Sequence, residues 1–293
     1  NKNLELVEGN IADIYSITQA VTDVNAVIHL AGIVGDPAGM VDEKLTRQMN
    51  VVATRMLKET VKTFRIPRFI FASTCAVYGA PKKSVNEESP VNPISLYAQT
   101  KLDAEKELLE DTFDDFHPTV LRFTTVFGHS PKMRFDLAVN LFTAKAYYHE
   151  PITLIGDGLQ WRPFIYAGDV AEAIIKVLEA PLEKVSRQIF NVGDDTAHLQ
   201  IKSVIALVKK ISGKKITIIK KQQTSDRGNY RVSFKKIEQQ LDFHASTSVE
   251  NGIREMFGNL KKGHYPLLFS DPYYSSTEGA KTMKKEFYAK KKS

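Results

Sequence analysis

Short apolar runs alternate with helix-patterned stretches along this chain. Four of the runs predict buried strands, at Ala26–Leu30, Arg68–Ala72, Thr119–Phe123 and Gln188–Val192. Such an alternation is typical of an α/β fold, a parallel sheet that helices cover on both faces. Ligands of these sheets bind at the carboxyl ends of the strands, where residues 29–32, 73–75 and 123–126 fall. The alternation therefore predicts both the fold class and the edge that carries the function.

Helical periodicity places the connecting segments. Helices are predicted at Ile11–Val21, Lys44–Thr63, a segment after Pro93, Phe135–Tyr148, Asp169–Leu178, Ile201–Ile211 and Val249–Phe257. Two further short strands are predicted at Leu4–Val7 and Ile152–Ile155. The pattern becomes less regular after about Gly128, which predicts a change of architecture there.

Composition narrows the class of protein. The 293 residues are 43% hydrophobic and 25% charged, as in an ordinary globular protein, and no apolar run approaches the ~20 residues of a membrane helix. The single Cys75 excludes an internal disulfide framework and favours a cytoplasmic location. Part of the net charge of +6 lies in C-terminal lysines, which predict a solvated helix rather than a nucleic-acid arm. We expect no membrane, nucleic-acid or metal partner.

Tyr97 and Lys101 stand four residues apart on the helix predicted after Pro93, so the phenol and the ammonium share one helical face. A tyrosine with a pKa of about 10 is a poor base at neutral pH, and a neighbouring cation lowers that value. Thr74, at the end of a strand, adds a hydroxyl that can hold a substrate oxygen. These three residues suit hydride transfer between an alcohol or ketone and a nicotinamide.

Several motifs occur in one order along the chain: His29–Gly32, Asn50–Val51, the strand that ends at Thr74, Tyr97 with Lys101, and Trp161–Tyr166. In this order they resemble the extended short-chain dehydrogenase/reductase family, the NAD-dependent epimerases and dehydratases of nucleotide sugars. The resemblance implies a Rossmann-type doubly wound parallel sheet with a smaller C-terminal α/β substrate domain. It divides the chain into a nucleotide-binding domain (1–128) and a mainly substrate-binding domain (129–293), of which about 164–192 returns to the first.

The resemblance also implies the cofactor site. NAD would be bound by residues at the strand ends and on the helices that follow them. These are Asn10, Ile11, Leu30, Ala31, Gly32, Asn50, Ser73, Tyr97, Lys101 and Phe123. In the family the first βαβ unit supplies the Gly-rich phosphate loop and the residue that separates NAD from NADP. Neither is present in this sequence, so we expect the first βαβ unit to be missing, and NADP stays open.

The implied substrate is a nucleotide-diphosphate sugar, whose diphosphate needs fixed cations. Arg162 and Arg227 match the family positions that contact the diphosphate, and Asn140 matches a residue that hydrogen-bonds the phosphates or the sugar. Thr74 and Tyr97 would hold the reacting sugar carbon, and Lys101 would complete the catalytic set. The family further implies a homodimer.

The residues after Thr74 bear on which reaction is catalysed. Dehydratases of the family carry acidic residues there, whereas this chain has Cys75 and Ala76, which favours simple redox chemistry at C4 of the sugar. We therefore predict a 4-epimerase, with a 4-dehydrogenase or 4-ketoreductase as an alternative. A 3,5-epimerase would use a cysteine here with His129, although the family's cysteine aligns with Ala76; Cys75 is predicted to be buried and inert. A non-catalytic NAD-binding relative would be expected to lose the Tyr97/Lys101 pair.

Overall fold

The computed structural model describes residues 4–222 and 230–289. Its strands are β1 (Ala26–His29), β2 (Arg68–Thr74), β3 (His117–Phe123), β4 (Thr125–Phe127), β5 (Ile152–Ile155), β6 (Trp161–Tyr166), β7 (Ile189–Val192), β8 (His198–Gln200) and β9 (Ile218–Lys221). Its α-helices are α1 (Ile14–Val21), α2 (Asp36–Gly39), α3 (Glu43–Arg47), α4 (Ala53–Thr63), α5 (Leu96–Leu109), α6 (Ala138–Tyr147), α7 (Ala167–Glu179), α8 (Leu182–Val185), α9 (Ile201–Ser212), α10 (Lys235–Leu241), α11 (Val249–Lys261) and α12 (Ser276–Ala289). Short 3₁₀ turns lie at Cys75–Tyr78, Asp195–Ala197 and Pro272–Tyr274, and a π-helical segment at Gln48–Val52.

The main sheet has the strand order β1-β2-β3-β7, with every pair parallel. Its four strands are those predicted from the apolar runs, and the α/β prediction is confirmed. The register sets Thr74 opposite Phe123 and Ser73 opposite Arg122, so the ends of β2 and β3 lie side by side. β1 is an edge strand of the described sheet. The prediction of a missing βαβ unit is not tested by this arrangement.

Alternation along the strands builds the two faces of this sheet. Phe69 and Phe71 pack with side chains of α1, α4 and α5, whereas Ile70 packs with α7 and α10. In β3, Val120 joins the first cluster and Leu121 the second. This period of two, on strands buried on both faces, is what a helix-covered parallel sheet requires.

The second half of the chain forms a separate core. Its two small sheets have the orders β4-β6-β8 and β5-β9, and α6, α9 and α11 pack around them. β7 and α7 belong to the main sheet and its core, so this part of the chain crosses back. The domain limits at 128/129 and at 164–192 stay predictions.

One sequence prediction is wrong. Leu4–Val7 forms no strand: Leu4 and Leu6 are exposed, and no described strand lies beside them. The helix predicted at Lys44–Thr63 is present, and it contains the π-helical segment Gln48–Val52, which periodicity over twenty residues does not reveal. The other predicted helices and strands are present with ends shifted by a few residues.

The C-terminal helix α12 lies across the first half of the chain. Ala280 is buried against Ile33 and Ala38, and Lys284 forms an ion pair with Asp42 at 3.1 Å. Among the described residues, no helix is both long and apolar enough to span a membrane.

Candidate active site

The helix α5 presents Tyr97 in its first turn. Ser95 caps the helix by accepting a hydrogen bond from the Ala98 amide at 3.2 Å, and its own hydroxyl donates to Asp36 Oδ1 at 2.6 Å. Gly39 of α2 packs closely on the tyrosine, since an added Cβ there would lie 3.4 Å from Tyr97 Cβ. Tyr97 is 9% exposed, so its orientation is fixed by both α5 and the loop after β1.

The end of β2 brings Thr74 to Tyr97. Its hydroxyl accepts from the Ala76 amide at 3.1 Å, which starts the 3₁₀ turn, and the side chain hydrogen-bonds the Tyr97 phenol. Lys101 lies one turn below, buried, with Nζ 4.1 Å from the centre of the Phe71 ring. The structure therefore brings Thr74 and Tyr97 together at the carboxyl edge of the sheet, with Lys101 buried one helical turn further along α5.

Burial dominates the electrostatics of this trio. Desolvation raises the pKa of Tyr97 to about 12, against the Thr74 hydrogen bond and the Arg134 charge. Desolvation also lowers the pKa of Lys101 to about 7, against the attraction of Glu105. The sequence predicts a tyrosine pKa lowered toward neutrality, but in this structure desolvation outweighs the nearby charges. The pair is consequently poised with a neutral phenol and a lysine that titrates near neutral pH.

Four of the predicted cofactor residues, Asn10, Ile11, Leu30 and Ala31, line one cavity of about 470 Å³ beside β1. Leu30 is 57% exposed, so an apolar ring system can lie against it.

Asn50 and Gly32 shape the neighbouring backbone. Asn50, in the π-helical segment, accepts from Ile33 N at 2.7 Å and donates to Ile33 O at 3.0 Å and Thr100 Oγ1 at 3.0 Å. A Cβ at Gly32 would lie 2.9 Å from Asn50 Oδ1, so only glycine fits this approach. The loop after β1 is thereby tied to the residue that precedes Lys101.

Ser73 and Phe123 face inward. Ser73 donates its hydroxyl proton to the Glu105 carboxylate rather than to the cleft. Phe123 packs in the core between the sheet and α7. Contact of either residue with a cofactor would be made through the backbone at the strand end.

A second cavity, of about 470 Å³, lies next to the segments that carry Thr74 and Tyr97, since Ala76 and Ser95 line it. Its lining includes Asp36, Ala76, Ser95, Arg134, Arg162, Tyr230, Ser276 and Thr277. The Arg162 guanidinium donates to Trp161 O at 2.8 Å and lies 5.9 Å from the centre of the Tyr230 ring. The cavity thus joins chain neighbours of Thr74 and Tyr97 to a guanidinium, although Thr74, Tyr97 and Lys101 are not among its lining residues.

One predicted substrate residue is placed differently. Asn140 is buried behind the cavity wall, where its amide accepts from Gly128 N at 3.0 Å and donates to Arg134 O at 3.1 Å. It holds the loop 128–134 in place, and the structure does not bring it to the cavity lining. Arg227 lies outside the described residues.

The contacts of Cys75 and His129 show the surroundings of both side chains. The thiol is buried and donates to Arg122 O at 3.1 Å, and burial raises its pKa far above the usual value. The prediction of a buried cysteine is confirmed. His129 contacts the Tyr265 hydroxyl at 3.2 Å, and neither residue is among those lining the second cavity.

Sequence reasoning missed some lining residues. Tyr230, Ser276 and Thr277 reach the second cavity from more than 130 residues beyond Tyr97, and no local pattern marks them. Arg122 did leave a signal: a charge inside the apolar run Thr119–Phe123 needs a buried partner.

Comparison with known proteins gives a family and several relatives. The model of the NAD-dependent epimerase/dehydratase family matches residues 1–193. The uncharacterized UDP-glucose epimerase YtcB of Bacillus subtilis is 29% identical over 258 residues, which cover 86% of this chain and 79% of that protein. A UDP-glucuronate 4-epimerase of Thermodesulfobacterium geofontis is 29% identical over 254 residues, which cover 84% and 75%.

Solved structures are similar as well. The UDP-glucuronic acid 4-epimerase of Bacillus cereus, in complex with UDP-glucuronic acid and NAD, superposes with a TM-score of 0.78 at 26% identity and covers 85% of this chain and 80% of that one. MoeE5 in complex with UDP-glucose and NAD has a TM-score of 0.80 at 23% identity, covering 88% and 86%. The second likeness bears on the fold alone.

Proposed function

The chain belongs to the NAD-dependent epimerase/dehydratase family, and from this premise we propose that it is an NAD-dependent nucleotide-sugar 4-epimerase. The contact between the Thr74 and Tyr97 hydroxyls, above buried Lys101 and beside a cavity that holds Arg162, carries the proposal. The 4-epimerase names of the relatives support it.

The residues at the carboxyl edge of β1 fit NAD. The cavity lined by Asn10, Ile11 and Leu30 offers an apolar surface with an amide beside it, as an adenine ring needs. At Gly32 the space of a side chain is taken by Asn50 Oδ1, which fixes the path of the loop after β1 beside this cavity. When bound, NAD supplies the chemistry of accepting a hydride from C4 of the sugar and returning it.

Tyr97 handles the proton. Its phenolate removes the proton of the C4 hydroxyl as hydride leaves that carbon, and the phenol returns the proton after the keto sugar has turned over. Thr74 holds the same oxygen through the hydroxyl that contacts Tyr97. The positive charge of Lys101 favours the phenolate. Because Tyr97 starts with a raised pKa, charge supplied near it on ligand binding is a requirement of this step.

Arg162 is proposed to hold the diphosphate. It lines the cavity beside Tyr230, and we propose that it binds a part of the substrate other than the reacting carbon. Charge-assisted bonds from a guanidinium suit phosphate oxygens in geometry and strength. Arg227 is proposed as a second cation from its sequence position alone.

The alternatives differ in what they require. A 4-ketoreductase needs the same three catalytic residues, so the cofactor balance separates it from an epimerase. A 3,5-epimerase needs an acid/base residue where Ala76 lines the cavity, and the adjacent Cys75 is buried with its proton engaged. The structure therefore favours C4 chemistry.

The test is turnover of UDP-, dTDP-, GDP- and CDP-sugars, followed by NMR in D₂O with NAD present at catalytic amounts. A 4-epimerase converts the sugar to its C4 epimer with no net NADH and no deuterium on carbon. Net formation or consumption of NADH assigns the reaction to a dehydrogenase or ketoreductase, and deuterium at C3 or C5 assigns it to a 3,5-epimerase. No conversion of any sugar contradicts the proposal.

The homodimer and the cytoplasmic location stay predictions. Size-exclusion chromatography with light scattering tests the first of them.

A further inference from the structure

A buried ion pair lies directly behind the catalytic residues. Arg122 and Glu105 are 3% and 1% exposed, and Arg122 Nη2 and Nε donate to the two carboxylate oxygens at 2.6 and 3.0 Å. A buried pair of this kind is seldom more stabilising than apolar residues of the same volume. Its place in the molecule therefore calls for a reason other than stability.

The pair joins the elements that carry the chemistry. Arg122 lies between Leu121 and Phe123, which point to the α7 side, so the alternation of β3 aims it at α5. Glu105 is on α5, one turn after Lys101 and two turns after Tyr97. Its carboxylate also accepts the Ser73 hydroxyl, and Ser73 is the register partner of Arg122 on β2.

Three side chains of the segment that carries Thr74 hold it in place. Ser73 binds Glu105, Cys75 donates to Arg122 O at 3.1 Å, and the Tyr78 hydroxyl accepts from Arg122 Nη1 at 2.9 Å. The same Tyr78 hydroxyl donates to Asn191 Oδ1 at 2.8 Å. Thr74 thus directly follows a residue bound to the Glu105 carboxylate, and the turn after it is bound to the Arg122 guanidinium through Tyr78 and to the Arg122 backbone through Cys75.

The charges around Lys101 give Glu105 a second role. His29 faces the lysine from β1, and burial, with the lysine charge, lowers its pKa to about 3, so it is neutral. Tyr97 faces it from the same helix as a neutral phenol, and Arg122 brings a second cation from β3. Glu105 supplies the negative charge that favours the lysine cation and raises the pKa of Lys101 against burial.

We propose that Glu105 and Arg122 are positioning residues of the epimerisation: they hold the Thr74 segment against the helix of Tyr97 and keep the positive charge on Lys101. This inference rests on the function proposed above. It assigns to a buried ion pair a part in catalysis without contact with substrate or cofactor.

The first test is Glu105→Gln. With Thr74 less fixed and the lysine cation less favoured, kcat should fall at least about tenfold, while KM for the nucleotide sugar stays within about threefold. As pH rises, the first proton to leave the Tyr97/Lys101 pair comes mainly from Lys101. Loss of the nearby Glu105 anion should lower the pKa of that step. The acid limb of the pH profile of kcat should therefore move to lower pH by about half a unit to one unit. A purely structural role would leave that limb unmoved.

The matched control is Glu107→Gln. Glu107 is also on α5 and paired with cations, Arg55 and Lys58, but it lies on the outer surface away from Lys101. This variant should keep the kcat and pH profile of the parent. A Glu105→Gln enzyme that behaves like Glu107→Gln overturns the inference.

Glu105→Gln leaves Arg122 buried without its anion, so a second variant separates folding from catalysis. In Glu105→Gln/Arg122→Met the buried charges are removed together, which restores stability in comparable cases. The double variant should melt near the parent temperature and still show the reduced kcat. Recovery of parental kcat together with stability would overturn the inference alone, whereas a parent protein that converts no nucleotide sugar would overturn both the inference and the proposed function.

Discussion

The two ends of the proposed active-site cleft are built in different ways. At the reacting end, Thr74, Tyr97 and Lys101 come from adjoining regular elements, and each is buried or nearly so. At the other end, where we propose that the diphosphate binds, the wall comes from the loop 134–137, from β6 and from the start of α12. Arg134, whose charge also acts on Tyr97, lines the same cavity, is bonded to Asp136 at 2.9 Å and is about 31% exposed.

The wall at this second end depends on the C-terminal helix. The Ser276 amide donates to Asp136 Oδ2 at 3.0 Å, and Ser276 and Thr277 line the cavity. Further along α12, Lys284 pairs with Asp42 in the first half of the chain. One end of the cleft is therefore fixed by a sheet and its helices, and the other by the docking of distant segments. We expect substitutions at the first end to change rate and those at the second to change binding.

The largest effect is expected from Tyr97→Phe. The change removes one oxygen from a buried residue and with it the group that moves the C4 proton, so turnover should fall by about 10²- to 10⁴-fold. Binding of the nucleotide sugar, measured by calorimetry, should change little. Tyr15→Phe, at a tyrosine that is 67% exposed, is the control and should keep full activity. Near-normal turnover of the Tyr97 variant would remove this residue from the mechanism.

Arg162→Ala tests the binding end. The loss of a charge-assisted bond worth about 1.5–3 kcal/mol should weaken binding of the nucleotide sugar roughly 10- to 100-fold, with a smaller loss of kcat. Titration with a nucleoside diphosphate and with the matching monophosphate tests whether Arg162 contacts the diphosphate. Only the diphosphate should lose much affinity in the Arg162→Ala variant.

Arg231→Ala is the matched control for Arg162. Arg231 stacks on the same Trp161, 4.1 Å from its ring centre, but is not among the residues lining the cavity. Equal affinity of the Arg162 variant and the parent for all nucleoside diphosphates would contradict the assigned role.

The sequence predicts the reacting end better than the binding end for a physical reason. Thr74 ends an apolar strand, and Tyr97 and Lys101 share a helical face, so local periodicity is enough to bring them near one another. The π-helical turn at Asn50 is different, because its one extra backbone residue leaves the apolar spacing of Lys44–Thr63 almost unchanged. Leu4–Val7 has strand-like residues, but strand formation also requires a neighbouring strand.

Asn140 and Ser276 show where sequence reasoning stops. A motif placed Asn140 at the substrate, yet the direction of its amide is set by the loop 128–134, whose path depends on tertiary packing. Ser276 and Thr277 reach the cavity only because α12 docks on a surface formed more than 200 residues earlier. The pKa of Tyr97 likewise follows from burial, a quantity that spacing along a helix does not contain.

A smaller effect is expected from Ala280→Glu. A carboxylate at this position, 4% exposed against Ile33 and Ala38, should unseat α12 and move the wall at Ser276. KM for the nucleotide sugar should rise about three- to tenfold, equivalent to about 1 kcal/mol, with kcat nearly unchanged. Gly279→Ala is the control, since its new Cβ meets nothing within 4 Å. An unchanged KM in the Glu variant would show that α12 does not shape the cavity.

The smallest expected effect is a change in folding stability at the reacting end. Lys101 is 4% exposed, and burial lowers its pKa to about 7 from 10.5, so folding must release a proton between those values. The parent protein should therefore gain stability from this group as pH rises from 7 to 10.5, and have the least at or below pH 7. Lys101→Met removes the buried charge and should raise stability by about 1 kcal/mol at pH 7, or about 2–4 °C in Tm, with the gain shrinking toward pH 10. Lys106→Met, at an exposed site on the same helix, should show no such pH-dependent gain in thermal scans. A Lys101 variant that is destabilised at pH 7, or whose gain grows with pH, would mean that the lysine is held as a well-compensated cation and that the reacting end is not maintained at a cost in stability.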